Sequence, residues 1–207
     1  MAEIDPAYLQ HKYLYVPWTD GEDSIAIGKE LGRHVARQCK TRLTVICATK
    51  QNATHHEEFR KLPIVTERSG GVVGGGVVLA WCPTRKVMDK AYRLEKSVVV
   101  LVEWPTENYA ARARLVGAYN VMTREVMTSG LTDAGVKALE GVVWEGYNGW
   151  HDGIAATMTT TRLKELAASD GYDRDIVLEY ASQHGAQNSL PRLRKILDKF
   201  ERSFTLH

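Results

Sequence analysis

Apolar residues along the first 128 positions follow two alternating patterns, short dense runs and stripes with helical spacing. The dense runs are rich in β-branched residues and predict strands at 13–16, 43–48, 63–65, 77–81, 97–103 and 121–122. The stripes between them predict amphipathic helices. Strands that alternate with helices build a mostly parallel sheet. We therefore predict an α/β, Rossmann-like domain over residues 1–128, with helices on both faces of the sheet.

The first predicted helix carries Ile27, Leu31 and Val35 at intervals of four, which places them on one side. Gly28 and Gly32 lie beside this stripe and allow a close approach to the sheet, at a cost of about 1 kcal/mol each relative to alanine. Upstream, the residues 19–22 have the spacing of a capping box, with Thr at its start and Glu at its end. This spacing predicts that the helix begins directly after Thr19.

The run 98–102 is apolar at every position and does not alternate. A parallel strand that is covered on both faces shows this pattern, so we predict that it lies in the centre of the sheet.

From Ser129 onward the strand signal ends and helical periodicity takes over. We predict a small all-helical domain over residues 129–207. Thr132 and Asp173 are the expected N-caps of two of its helices, and Gly185 is an expected stop signal.

Composition and charge exclude several classes of protein. The formal net charge is +2, from 27 basic and 25 acidic residues, which excludes a polybasic surface over the whole chain. The longest apolar runs, 77–81 and 97–102, are too short to span a membrane, and the first residues lack the apolar stretch of a signal peptide. We expect a cytoplasmic protein that does not associate with membranes.

The cysteines and histidines favour neither a disulfide framework nor a metal site. The three cysteines, Cys39, Cys47 and Cys82, form no C-x-x-C pair, so reduced thiols are expected. The cluster 55–58 (His-His-Glu-Glu) lacks the second histidine that the zincin motif requires. A solvated loop or short helix is the favoured interpretation of this cluster.

Five glycines stand within the seven residues 70–76. One interpretation is a cradle of backbone amides for a phosphate. The other is a flexible connection that leads into the strand at Val77. Because no Gly-Lys-Ser/Thr sequence ends the run, and because it precedes a strand rather than a helix, we favour the connection.

Three tryptophans stand at the ends of predicted strands, each one to three residues before a threonine. They are Trp18, Trp81 and Trp104. The carboxyl ends of parallel strands meet at one edge of the sheet, where ligands of such folds bind. This edge combines aromatic surfaces for stacking with helix N-termini that attract anions. The pattern therefore predicts a site for a nucleotide-like or phosphorylated ligand, or for nucleic acid.

The residues expected at this ligand site comprise the aromatic, charged and hydroxyl side chains next to the strand ends: Trp18, Asp20, Arg68, Trp81, Thr84, Arg85, Glu103, Trp104 and Thr106. The leading hypothesis is a binding or regulatory protein. A transferase or hydrolase is the alternative, with Asp20, Glu103, Arg85 or Cys82 in catalysis and the Cys82 thiol activated by the helix start that follows it. The tryptophans alternatively seal the sheet against the helical part.

The last two predicted helices have the outline of a helix-turn-helix, which makes a DNA-binding or protein-interaction module a third hypothesis. Arg192, Arg194 and Lys195 would then contact nucleic acid. Against this, residues 151–207 carry eight acidic and eight basic side chains, and Pro191 occupies the first turn of the would-be recognition helix. A solvated amphipathic face is the commoner explanation of such a stripe.

The segment 77–85 with the helix after it is similar to part of the second RecA-like lobe of superfamily 2 helicases. In that family a strand, a turn with proline and threonine, and a helix contact the phosphate backbone. The resemblance covers nine residues. The Walker lysine motif, the D-E-x-D/H strand and the arginine-finger motif do not occur in the sequence, so the resemblance implies no motor activity.

Overall fold

The computed structural model describes residues 6–19, 23–69, 75–92, 97–105, 108–169 and 171–204. The chain forms two compact units, Met1–Met127 and Thr128–His207. The first unit contains a mostly parallel sheet with helices, and the second consists of helices. The predicted fold class, an α/β Rossmann-like sheet followed by a helical part, is confirmed.

The strands in the described part of the first unit are β1 (Tyr13–Val16), β2 (Leu43–Ile46), β3 (Ile64–Val65), β4 (Gly76–Ala80), β5 (Ser97–Val102), β6 (Tyr119–Asn120) and β7 (Glu125–Val126). They form one sheet in the order β3-β2-β4-β5-β1-β6-β7. The pairs are parallel except for the pair β6–β7. The carboxyl ends of β1 to β6 therefore share one edge, which we call the carboxyl edge.

The α-helices of the first unit are α1 (Ser24–Gln38), α2 (Lys50–Thr54), α3 (Arg85–Tyr92) and α4 (Ala110–Leu115). Those of the second unit are α5 (Asp133–Glu145), α6 (Gly153–Ser169), α7 (Arg174–Gln183) and α8 (Leu190–Phe204). Within the described ranges, none of the helices combines the length and the apolar composition that crossing a membrane requires.

The core of the first unit has two layers, one on each face of the sheet. Leu31 and Val35 of α1 pack on one face, together with Val100 and Val102 of β5. Residues of α3 and α4 pack on the other face. Strand β5 pairs with β4 and β1, and its residues pack alternately into the cores on the two faces of the sheet, as its uninterrupted apolar run predicted.

Helix α1 begins later than the capping-box spacing predicted. Its N-cap is Asp23, whose Oδ1 accepts from the Ala26 amide at 2.8 Å. Thr19 is not the cap, and its amide instead donates to Ser24 Oγ at 3.4 Å. Asp caps helices as well as Thr does or better, and Asp23 stands directly before the apolar stripe, so it takes the position. Glu22 lies outside the described residues.

The last predicted strand, 121–122, is wrong. Its two residues belong to the turn between β6 and β7. Asn120 explains the difference, because its Oδ1 accepts from the Met122 amide at 2.9 Å and so closes a turn at this point. Arg124, with φ of 61°, completes the reversal.

The helix signals of the second unit are confirmed. Thr132 Oγ1 accepts from the Gly135 amide at the start of α5, and Asp173 accepts from the amides of Asp175 and Ile176 at the start of α7. Gly185, with φ of 91°, follows the end of α7. Side chains that satisfy free amides at these positions fix where each helix begins.

Candidate functional site

The carboxyl edge has a topological switch point between β1 and β5. From β1 the chain runs through α1 to β2, on one side of this pair of strands, whereas from β5 it runs through α4 to β6 on the other side. Helices α1 and α4 also pack on opposite faces of the sheet. Loops that leave adjacent strands toward opposite faces of the sheet form a crevice between them, and ligands of open α/β sheets bind in such a crevice.

Trp18 and Trp104 meet at this switch point. Trp18 follows β1 and Trp104 follows β5, and their rings lie edge to face, with centroids 5.8 Å apart and planes at 61°. Both side chains are half-buried. A ring surface that is held on one side and open on the other can stack on a flat ligand.

Glu103 fixes the backbone around the tryptophan pair. Its Oε2 accepts from the Trp18 amide at 3.0 Å, and its Oε1 accepts from the Tyr109 amide at 3.0 Å. The carboxylate thus ties the segment after β1 to the segment before α4. Both oxygens are engaged with backbone donors, which suits a positioning role better than proton transfer.

Trp81 lies away from this pair. It is 1% exposed, and it packs in the core beneath α1. The centroid of its ring lies 5.1 Å from that of Phe59 and 4.9 Å from that of His56. The alternation of β4 continues through it, because Leu79 and Trp81 point to the same face. Its amide also continues the ladder by donating to the Ile46 carbonyl at 2.8 Å. Trp81 therefore contributes packing, and no accessible stacking surface.

The polar residues after β3 and β4 form a second part of the edge. The Thr84 hydroxyl, next to the start of α3, donates to the Glu67 carboxylate, and the Tyr109 hydroxyl donates to the Pro83 carbonyl at 2.6 Å. Arg85 opens α3, and the exposed Arg68 follows β3. Hydroxyl and carboxylate groups thus meet at the turn between β4 and α3, and Arg85 follows this turn in the chain.

Two residues of this edge were missed by the sequence interpretation, Glu67 and Tyr109. The position of Glu67 could have identified it, since it stands two residues after β3 and directly before Arg68, which was predicted at the site. Tyr109 resembled an ordinary inward residue of a helix. Asp20, Thr106 and the glycines at 70–74 lie outside the described residues.

The cysteine chemistry differs from the expectation for Cys82. Burial raises the pKa of the Cys82 thiol to about 12, and burial raises the pKa of Cys47 to about 11. The expected activation of Cys82 by the following helix start is thus wrong, because loss of hydration of the thiolate outweighs any attraction at this position.

We expect a thiol reagent to separate the three cysteines. With an aromatic disulfide at about pH 8, Cys39, which is exposed, reacts quickly, whereas Cys47 and Cys82 react only after unfolding. Release of the chromophore in native and denatured protein measures this. The Cys39→Ser variant is the control and loses the fast phase, and a fast phase that persists in it would contradict the protected state of Cys82.

The cluster 55–58 is held by packing and one ion pair. The His56 ring contacts Phe59 and Trp81, and Glu58 pairs with Lys29 Nζ at 3.2 Å. Burial lowers the pKa of His56. Within the described part of the chain, no three or more His, Cys, Asp or Glu side chains gather closely enough to hold a metal ion.

The basic side chains of α8 share its surface with acids. Arg192, Arg194 and Lys195 are exposed, and Arg192 Nη1 donates to the Gly149 carbonyl at 3.5 Å. On the same helix, Asp198 and Glu201 each bind Arg174 of α7 at 2.6 Å. This mixed charge is typical of a solvated face that ties α7 to α8.

Comparisons with known proteins give no relative. No family model, no curated protein and no solved structure matches the chain. The functional argument therefore rests on the geometry of the carboxyl edge.

Proposed function

We propose that this protein is a cytosolic binding or regulatory protein that recognises a nucleotide-like or phosphorylated ligand at the carboxyl edge of its sheet. The observation that carries the proposal is the half-buried pair of Trp18 and Trp104 at the switch point between β1 and β5. A base stacks against this pair. Base–aromatic stacking contributes about 1–3 kcal/mol per base, which suffices for an initial contact.

The phosphate part of the ligand lies toward α3 in this proposal. Arg85 is the first residue of α3, and Thr84 precedes it. Arg68 follows β3 at the same edge and is exposed. Free amides and partial positive charge at a helix start favour an anion, and guanidinium groups bind phosphate through two hydrogen bonds.

Binding is favoured over catalysis by the state of the candidate catalytic groups. Both carboxylate oxygens of Glu103 accept from backbone amides, and the raised pKa of Cys82 keeps its thiol protonated at neutral pH. A transferase or hydrolase needs a group that is free to move a proton or attack a substrate. A binding protein needs only the fixed surface.

Tryptophan fluorescence titrations test the proposal. We expect nucleotides to change the emission of the wild-type protein, and Trp104→Ala to weaken binding by about tenfold. Arg85→Gln should weaken the binding of phosphorylated ligands and leave the affinity for the unphosphorylated nucleoside unchanged. Trp144→Ala, which removes an indole of the second unit, is the control and should leave nucleotide binding unchanged.

The outcomes separate the ligand classes. A response to mononucleotides supports the proposal, while a response to oligonucleotides alone reassigns the edge to nucleic acid. No response to either class, or an unchanged affinity in both Trp18→Ala and Trp104→Ala, would reject the site.

A further inference from the structure

The second unit contains a cavity of about 370 Å³ whose ten lining residues include three aromatic side chains and a histidine. It lies where α5 and α7 end, and its lining includes Trp144, Tyr147, Tyr180, His184 and Glu140. We call it the aromatic cavity. It belongs wholly to the helical unit and shares no residue with the carboxyl edge.

The four rings form two pairs. Trp144 and Tyr147 have centroids 6.5 Å apart with planes at 33°, and Tyr180 stacks on His184 with centroids 4.2 Å apart. A group seated against the first pair can lie within about 6 Å of both centroids, the range over which a cation is attracted to a ring face.

Trp144 and Tyr147 are unusual in their exposure. Their exposed fractions are 74% and 82%, although large aromatic side chains generally bury most of their surface. Two such rings beside a cavity leave apolar area that the described residues of the unit do not cover. A ligand that enters the cavity would remove part of this area from water.

Among the described residues that line the aromatic cavity, the acidic side chain is Glu140. Glu140 carries a carboxylate, and no lysine or arginine is among the described residues that line the cavity. The carboxylate acts on the wall itself, since burial and, after it, the charge of Glu140 raise the pKa of Tyr180.

The ends of two helices add negative electrostatic potential at the cavity. Gly146 and His184, the C-caps of α5 and α7, both line the cavity, so two helices present the negative end of their dipoles there. Ser189, just before α8, brings one helix start to the same wall. The balance of two ends and a carboxylate against one start favours a cation.

We propose that the aromatic cavity binds an alkylated ammonium group, in which a diffuse positive charge is surrounded by methyl groups. Ring faces attract the charge, the methyl groups cover the exposed aromatic area, and Glu140 compensates the charge. An unalkylated ammonium is more strongly hydrated and gains less from the rings. The same chemistry occurs in free choline-like molecules and in methylated lysine side chains of proteins.

The test is a titration of the full-length protein with tetramethylammonium, choline and a peptide that contains trimethyllysine. Binding is followed by NMR through the backbone amides of His184 and Gly185. We expect dissociation constants of about a millimolar for the small cations. A peptide that binds more tightly than choline identifies a methylated protein as the source of the group, and equal or weaker binding of the peptide identifies a small molecule.

Variants and a neutral ligand make the test specific. We expect Trp144→Ala and Glu140→Gln each to weaken binding by about five- to tenfold. Ile154→Ala, which removes another exposed apolar side chain of this unit, is the matched control and should change nothing. The neutral tert-butyl analogue of choline should bind at least about fivefold more weakly than choline.

The proposal is overturned if no alkylammonium shifts these amides at about 20 mM, well above the expected dissociation constants. Equal affinity for the neutral analogue would also overturn it, because the cavity would then be a simple apolar pocket. An unchanged affinity in Trp144→Ala would have the same consequence. Since Trp144 is mostly exposed, its removal leaves the fold intact, which a circular dichroism spectrum checks.

Discussion

Glu103→Ala is expected to lower the free energy of unfolding of the first unit by about 2–4 kcal/mol. Hydrogen bonds to a charged acceptor contribute about 1.5–3 kcal/mol each and Glu103 makes two, but it is half-buried, so water partly replaces the lost bonds. The amides of Trp18 and Tyr109 lose their acceptor together. The variant also loses the link that holds Trp18 against Trp104, so we expect nucleotide binding to be lost. Urea unfolding and the fluorescence titration measure the two effects.

Two further variants isolate the role of the carboxylate. Glu103→Gln keeps the shape but offers one oxygen and one amide group, so one backbone donor is left facing another donor, and we expect about half of the destabilisation. Glu30→Ala removes an exposed carboxylate from α1 and should stay within about 0.5 kcal/mol of wild type. If Glu103→Ala were as stable as Glu30→Ala, the bridge between the two segments would have no energetic role.

Gly28→Ala is expected to destabilise the protein by about 1–2 kcal/mol, although the same change favours an isolated helix by about 1 kcal/mol. A Cβ at Gly28 would lie 2.3 Å from Val102 Cγ2 and 3.2 Å from Cγ1. Valine in a strand has a stiff χ1, so Val102 cannot turn away without moving β5 or α1. Urea unfolding compares the variant with wild type.

Gly32→Ala is the matched control on the same helix. A Cβ there meets Leu79 Cδ1 at 3.5 Å, which is ordinary contact, so we expect a gain of about 0.5–1 kcal/mol. In a protein that already carries Val102→Ala, we expect Gly28→Ala to cost little or no stability, because the side chain that it would clash with has been shortened. Equal effects of the two glycine substitutions would contradict a close contact at Gly28.

Gly28 and Gly32 show which features of the packing the sequence did not predict. Their pattern beside the stripe of α1 predicted a close approach to the sheet, and this is correct for Gly28. The sequence did not distinguish Gly28 from Gly32, because both occupy equivalent positions beside the stripe. The difference depends on which strand side chain lies opposite, and this follows from the placement of α1 over β4 and β5.

The three tryptophans at the strand ends likewise differ in ways that the sequence did not predict. All three follow a strand, and the local pattern treated them as equal. Trp81 continues the alternation of β4 into the core, whereas Trp18 and Trp104 meet at the edge. Glu103 and Trp18 are 85 positions apart, so no local pattern reports their contact.

The sequence by itself determined most of the elements, the fold class, the central position of β5 and the caps of α5 and α7, because periodicity and capping act over a few neighbouring residues. The tertiary structure alone decided the strand order, the partners of Glu103, the burial of Trp81, the partial burial of Cys82, and the gathering of four rings at the aromatic cavity. These features depend on contacts between distant segments, whose geometry is set by packing of the whole unit rather than by the residues next to them in the chain.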